Sequence, residues 1–174
     1  MLMEKAGKIE RWQTPVSDAK SLAMVSLLDN GKLSITVQDL RDPERRRFRF
    51  TFKNYPAYRT MLEVYQSNFW DGFNNEGTDS GWTRIIRESR WLAVLEDTDP
   101  YLEESNPGLF HYMICTEDDV IEVLSNEPPE VVEVEPAAEG EKLPGKSTVY
   151  YDPEDRDKIE ALITQITSSS RDDV

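Results

Sequence analysis

The chain holds one cysteine and one histidine in 174 residues. A lone thiol excludes an intramolecular disulfide framework and fits a reducing compartment. No apolar run approaches the roughly 18–20 residues a membrane span requires. The opening MLMEKAGKIERW has no apolar h-region, so no secretory leader is expected and a cytoplasmic protein is the default. Walker, dinucleotide-binding, G-x-S-x-G and H-E-x-x-H patterns are all missing. One His and one Cys are too few for a zinc site. On these grounds no catalytic residue, cofactor or metal is assigned, and a non-enzymatic protein is expected.

The scarcest feature is positive charge in one region. Trp91 to Glu141 contains fifteen acidic residues and no Lys or Arg. The net charge of −14 is therefore lopsided: residues 1–53 sum to +4 and residues 54–174 to −18. Such a field disfavours nucleic acid and anionic membrane, and favours a basic protein partner. Solubility alone is the competing explanation. Within this region Glu96, Asp97, Asp99, Glu103, Glu104, Glu117, Asp118 and Asp119 are the candidate partner-binding carboxylates.

What is present suffices for one folded domain. Hydrophobic residues make up 38% of the chain and aromatics 10%, so wholesale disorder is not expected. Lys8 to Thr14 reads as a first strand ended by Pro15. Leu22–Leu28 and Lys32–Val37 flank Asn30-Gly31, a strong hairpin signal. Phe48, Phe50 and Phe52 alternate with Arg47, Arg49 and Thr51, which predicts a strand with a buried Phe face and a wet Arg face. The cluster Arg45, Arg46, Arg47 and Arg49 could meet phosphate, or it could pair with the protein's own carboxylates.

The spacing of Tyr58, Met61, Leu62, Tyr65 and Phe69 predicts a helix over 54–69, its stripe forming core or lining a pocket. Asp71 to Gly81 is a turn-rich loop that fails the EF-hand template. A second helix is expected over 82–95, with Ser80 as cap and Trp82, Ile85, Ile86, Ser89, Leu92 and Ala93 turned inward. Trp91 then falls opposite that stripe, either packed under a neighbouring loop or exposed as a contact residue.

After an acidic connector (96–107), Leu109 to Ser125 reads as two strands folded back at Thr116–Asp119. Both faces of the first are mostly apolar, which places it centrally in a sheet. His111 and Cys115 share a face but stand roughly 13 Å apart by strand rise, too far for a direct pair. Val131–Val134 adds a short edge strand. Residues 1–134 therefore form an α+β domain: a mostly antiparallel sheet built from hairpins, with two helices packed on it. Residues 135–151 are a linker and 169–174 a polar tail. Residues 152–168 form a tethered C-terminal amphipathic helix whose Ile159, Leu162, Ile163 and Ile166 dock on the body, or on a sister or partner chain as an assembly subunit would.

Three groups of residues carry a resemblance: Gly31, Leu33 and Ile35 with Ala57, Tyr58, Arg59 and Glu63; Ser89, Trp91 and Leu92; and the run from His111 to Ser125. Over about residues 22–130 this layout resembles small bacterial cytoplasmic α+β proteins, some of them of immunity-protein type. The resemblance implies an inhibitor of a basic toxin and supplies no catalytic residue.

Overall fold

The computed structural model describes residues 8–62, 81–141 and 143. The chain divides into two units, Met1–Lys142 and Leu143–Val174. Of the second, only Leu143 lies among the described residues, so the expected helix over 152–168 and its docking face fall outside them, as do residues 63–80.

The first unit contains two antiparallel sheets. The five-stranded sheet joins β1 (Ile9–Arg11), β6 (Thr83–Ile86), β7 (Phe110–Cys115), β8 (Asp119–Ser125) and β5 (Ala57–Leu62), in the order β1-β6-β7-β8-β5. The four-stranded sheet is β2 (Leu22–Asp29), β3 (Leu33–Asp39), β4 (Arg47–Phe52) and β9 (Glu130–Val134), in that order. Their inner faces interdigitate to make the main core. One sheet contributes Leu22, Leu33, Ile35, Val37, Phe50 and Phe52; the other contributes Tyr112, Ile114, Ile121 and Val123. Trp12 packs against the Phe50 and Tyr112 rings at 5.6 and 5.1 Å, in the edge-on and tilted arrangements that aromatic quadrupoles favour.

The Asn30-Gly31 hairpin is present, with Asp29 opposite Leu33. Its loop runs over Asn30, Gly31 and Lys32, and Gly31 alone supplies the positive φ, at 91°. The strand at Phe110–Cys115 is central and the 130–134 strand lies at an edge, as the sequence predicts. On the face of β3 opposite Leu33, Ile35 and Val37, Thr36 and Gln38 are buried as well.

Two helix expectations are corrected. Within the stretch 54–69, residues 57–62 form β5, paired with β8 from Ala57↔Leu124 to Leu62↔Asp119. Tyr58, Met61 and Leu62 satisfy a helical stripe, yet Ala57, Arg59 and Met61 also alternate with Tyr58, Thr60 and Leu62. Pairing with a buried strand decided between the two periods. Residues 82–95 likewise split. Thr83–Ile86 is a strand between β1 and β7, and the helix α1 spans Arg90–Thr98. Glu88, with φ at 54°, breaks the chain between them, and Ser89 caps the helix by accepting the Leu92 amide. The connector after α1 is partly helical too, with α2 at Leu102–Ser105.

Candidate functional site

The outer face of the five-stranded sheet carries a cluster of polar side chains amid apolar ones. Met113, Cys115, Val120 and Ile86 form a small second core there. In the same face, Glu122 of β8 stands opposite Arg59 of β5 and diagonal to His111 of β7. Glu122 is 2% exposed and His111 3%. A carboxylate so buried survives only if paired.

Two side chains flank it. Arg59 donates twice, Nε to Oε2 at 2.6 Å and Nη2 to Oε1 at 2.8 Å, the bidentate fork that suits guanidinium and carboxylate. His111 Nε2 lies 3.0 Å from Oε1, though its N–H is not aimed along that line. Burial pushes the Glu122 carboxyl up, but His111 and Arg59 outweigh it and hold the group at about 2. It is ionised at neutral pH.

On its other side, the His111 ring meets the start of α1. Ser89 Oγ is 2.8 Å from Nδ1. The Trp91 indole stands edge-on to the imidazole at 5.3 Å and 74°. The Arg59 guanidinium lies 4.4 Å from the Trp91 ring centre, a cation–π contact. Arg59 thus spans a carboxylate and an indole, and the polar cluster fastens α1 to the sheet. A cleft of about 450 Å³ opens beside it, with Ser89, His111, Leu92 and Phe110 in its wall.

The sequence-derived contact residues separate into three places. Trp91 is half-buried, clamped between His111 and Arg59. Glu96, Asp97, Asp99, Glu103 and Glu104 gather on the consecutive helices α1 and α2, which pack on each other. All five are exposed, and none forms an ion pair among the described residues. Glu117, Asp118 and Asp119 sit at the far end of β7, about 17–20 Å along the strand. There Glu117 accepts from Ser21 Oγ and Asp119 is buried, so this turn tethers the sheets to each other.

Two exposed apolar side chains stand among the five helical carboxylates: Tyr101, 69% exposed, and Val94, 51% exposed. The helix α1 buries none of its residues fully. Glu96 and Asp97 occupy its last turn, where the helix dipole is negative and carboxylates are locally unfavourable. The fold itself does not require these acids.

The basic cluster is engaged by the protein's own groups. Arg46 pairs with Asp42 and Glu44, Arg47 with Glu141 and Gln38, and Arg45 donates to the Ala138 carbonyl. Arg49 is exposed. A polar cleft of about 590 Å³ lies elsewhere, lined by Lys53, Asn54, Tyr55, Asn106 and Asn126. At its margin Tyr55 donates to Asp29, which pushes the phenol up to about 12.

Comparison with known proteins finds no matching family model, no similar curated protein and no similar solved structure. Among the described residues, no helix is long and apolar enough to cross a membrane, and no group of three or more His, Cys, Asp or Glu could hold a metal.

Proposed function

We propose that this is a binding protein that receives a basic protein partner on the α1–α2 arm. One observation carries the reading: five exposed carboxylates, none in an ion pair among the described residues, lie close in sequence to the exposed Tyr101 and Val94. Unpaired acids at the rim steer a cationic surface toward the arm and raise the association rate more than the affinity. A rigid aromatic at the centre supplies the desolvated anchor that most interfaces need. Tyr101 takes this role in preference to Trp91, whose ring is already packed.

The finer reading is an immunity-type inhibitor that meets a basic toxin in the cytoplasm. The cation-free stretch from Trp91 to Glu141 and the likeness of residues 22–130 to such proteins support it. Assembly through the C-terminal helix is the alternative, and deletion of residues 135–174 separates them. Loss of self-association with an intact fold favours assembly; retained partner binding favours the arm.

The direct test is co-expression with the product of the adjacent gene, followed by association kinetics from low salt to roughly 0.5 M. A complex whose on-rate drops steeply with salt supports the arm as its docking site. A salt-independent rate counts against it.

A further inference from the structure

Ser89, His111 and Glu122 lie in one line of contacts that the binding reading does not use. Ser89 Oγ is 2.8 Å from His111 Nδ1, and His111 Nε2 is 3.0 Å from Glu122 Oε1. We propose that these three residues form a nucleophilic relay in which Ser89 accepts an acyl group from a small uncharged or cationic ester bound in the cleft beside α1.

The charge state of Glu122 sets the direction of the relay. Held ionised by Arg59, it is an acceptor only, so the imidazole proton belongs on the nitrogen facing it, Nε2. Nδ1 is then the lone-pair nitrogen, and the Ser89 hydroxyl donates its proton to it. That is the order nucleophile, base, orienting carboxylate found in serine hydrolases of unrelated folds, with the two ring nitrogens exchanged. The imperfect aim of the Nε2 proton fits an unliganded site, where such bonds tighten only with substrate.

The local fold presents the hydroxyl as this chemistry requires. A strand, β6, ends at Ile86; Glu88 turns the chain at φ 54°; Ser89 follows at once; and α1 begins at Arg90. The strained turn places Oγ at a helix start and in the cleft wall. The Leu92 amide donates to Oγ at 3.1 Å, which favours charge on that oxygen. The first-turn amides of α1 have no acceptor within the helix. Leu92, Ala93 and Phe110 give the cleft an apolar wall; Glu88 and Glu96 outnumber its one cation, Arg87, which is paired with Glu10, so the balance disfavours anionic substrates.

In the step proposed, Ser89 Oγ bonds to the ester carbonyl carbon as its proton passes to His111 Nδ1. The tetrahedral adduct expels the alcohol oxygen, which takes that proton and leaves. Water, giving a proton to the same nitrogen, then cleaves the acyl–serine ester; the acid departs and the hydroxyl is restored.

The test is covalent labelling of the full chain with a fluorophosphonate, whose phosphorus is attacked by an activated serine with loss of fluoride, alongside hydrolysis of p-nitrophenyl acetate. The expected result is an adduct on the Ser89 peptide in folded protein and none after heat denaturation. His111→Gln slows labelling by about 100-fold or more. Ser89→Asn keeps a capping side chain, folds, as circular dichroism checks, and takes no label. Should His111→Gln not fold, the wild-type rate against pH decides, since it must rise with one deprotonation. Folded wild-type protein without an adduct on Ser89, or a rate indifferent to pH or to His111→Gln, overturns the proposal. None of these outcomes bears on the α1–α2 arm as a docking surface.

Discussion

Arg59 and Glu122 face each other across neighbouring strands with two hydrogen bonds of 2.6 and 2.8 Å, and only the guanidinium side reaches water. The Glu122 side chain is 3% exposed and that of Arg59 45%. Removing the cation leaves a carboxylate inside the protein with His111 as its main remaining support. Breaking a fully buried pair costs about 3–5 kcal/mol. The exposure of Arg59 discounts this through solvent screening, so Arg59→Ala is expected to lose about 2–3 kcal/mol in urea unfolding. Arg59→Met combined with Glu122→Met should recover most of that loss, because no buried charge then remains. A double variant as unstable as Arg59→Ala would show that shape, not charge, governs the site.

The same carboxylate makes stability depend on acid. Its folded value of about 2 lies below the ordinary 4.5, so the unfolded chain binds the proton first. The contribution is fully present above pH 4.5 and is lost as pH falls toward 2. Glu122→Gln should therefore flatten the stability–pH curve across that interval. Unfolding free energies measured at a series of pH values check this. Equal slopes for both proteins would mean that the native carboxyl titrates normally.

Gly81 is constrained by more than its turn. Its φ is 63°, and a Cβ there would lie 2.7 Å from the Ser17 carbonyl oxygen. That oxygen already accepts the Trp82 amide. Gly81→Ala thus combines a disfavoured backbone region with a backbone clash, at a cost of about 2–3 kcal/mol. Gly31, also at positive φ, has open space around it, so Gly31→Ala should cost about 1 kcal/mol. The gap between the two melting temperatures is the measurement.

Much of this architecture was legible in the chain, and the exceptions have physical causes. Alternation in 33–37 and 48–52, the Asn30-Gly31 turn and the doubly apolar strand at 110–115 announced hairpins and a central strand. Within 54–69, the residues 57–62 misled because Tyr58, Met61 and Leu62 fit a helical stripe while the same six residues also alternate, and only the partner strand chooses. Residues 82–95 misled because the break at Glu88 carries no glycine or proline to mark it. The Ser89–His111–Glu122–Arg59 cluster was invisible as a motif, since it joins three strands and a helix cap. One signal was available: Glu122 stands alone in the apolar run Val120–Leu124, and a lone carboxylate in a buried strand needs a cation. The placing of Trp91 opposite the inward stripe, packed or exposed, rested on a helical wheel for a helix that begins at Arg90, eight residues after the expected start.

The docking role proposed for the α1–α2 arm predicts separable effects of charge and anchor. Reversing Glu96, Glu103 and Glu104 to Lys should slow association with a basic partner by about 10- to 100-fold at low salt, with a smaller change at high salt. Tyr101→Ala should instead raise the dissociation rate, by at least about 10-fold if the ring is a centre of the interface. All four side chains are exposed, so the melting temperature should hardly move. Stopped-flow kinetics on the purified complex separate the two rates. A Tyr101→Ala complex with unchanged dissociation would move the anchor elsewhere.

The helix α1 should open before the sheets do. It fully buries no side chain, and its described fastenings concentrate near its first turn: the Ser89 cap, its contact with His111, and Trp91 between Arg59 and His111. An aromatic contact of about 0.5–1.5 kcal/mol and a partly desolvated cation–π contact of about 1 kcal/mol together make roughly 2 kcal/mol. Trp91→Ala should therefore speed amide exchange in Leu92–Thr98 by about 30-fold, while β7 and β8 amides exchange as in the wild type. Their hydrogen bonds belong to a sheet whose two central strands are buried along nearly their whole length. Exchange that accelerates equally in helix and sheet would mean that α1 and the five-stranded sheet unfold as one cooperative unit. The arm would then be a rigid docking surface held by the whole fold, and Trp91→Ala would weaken partner binding only as far as it destabilises the domain.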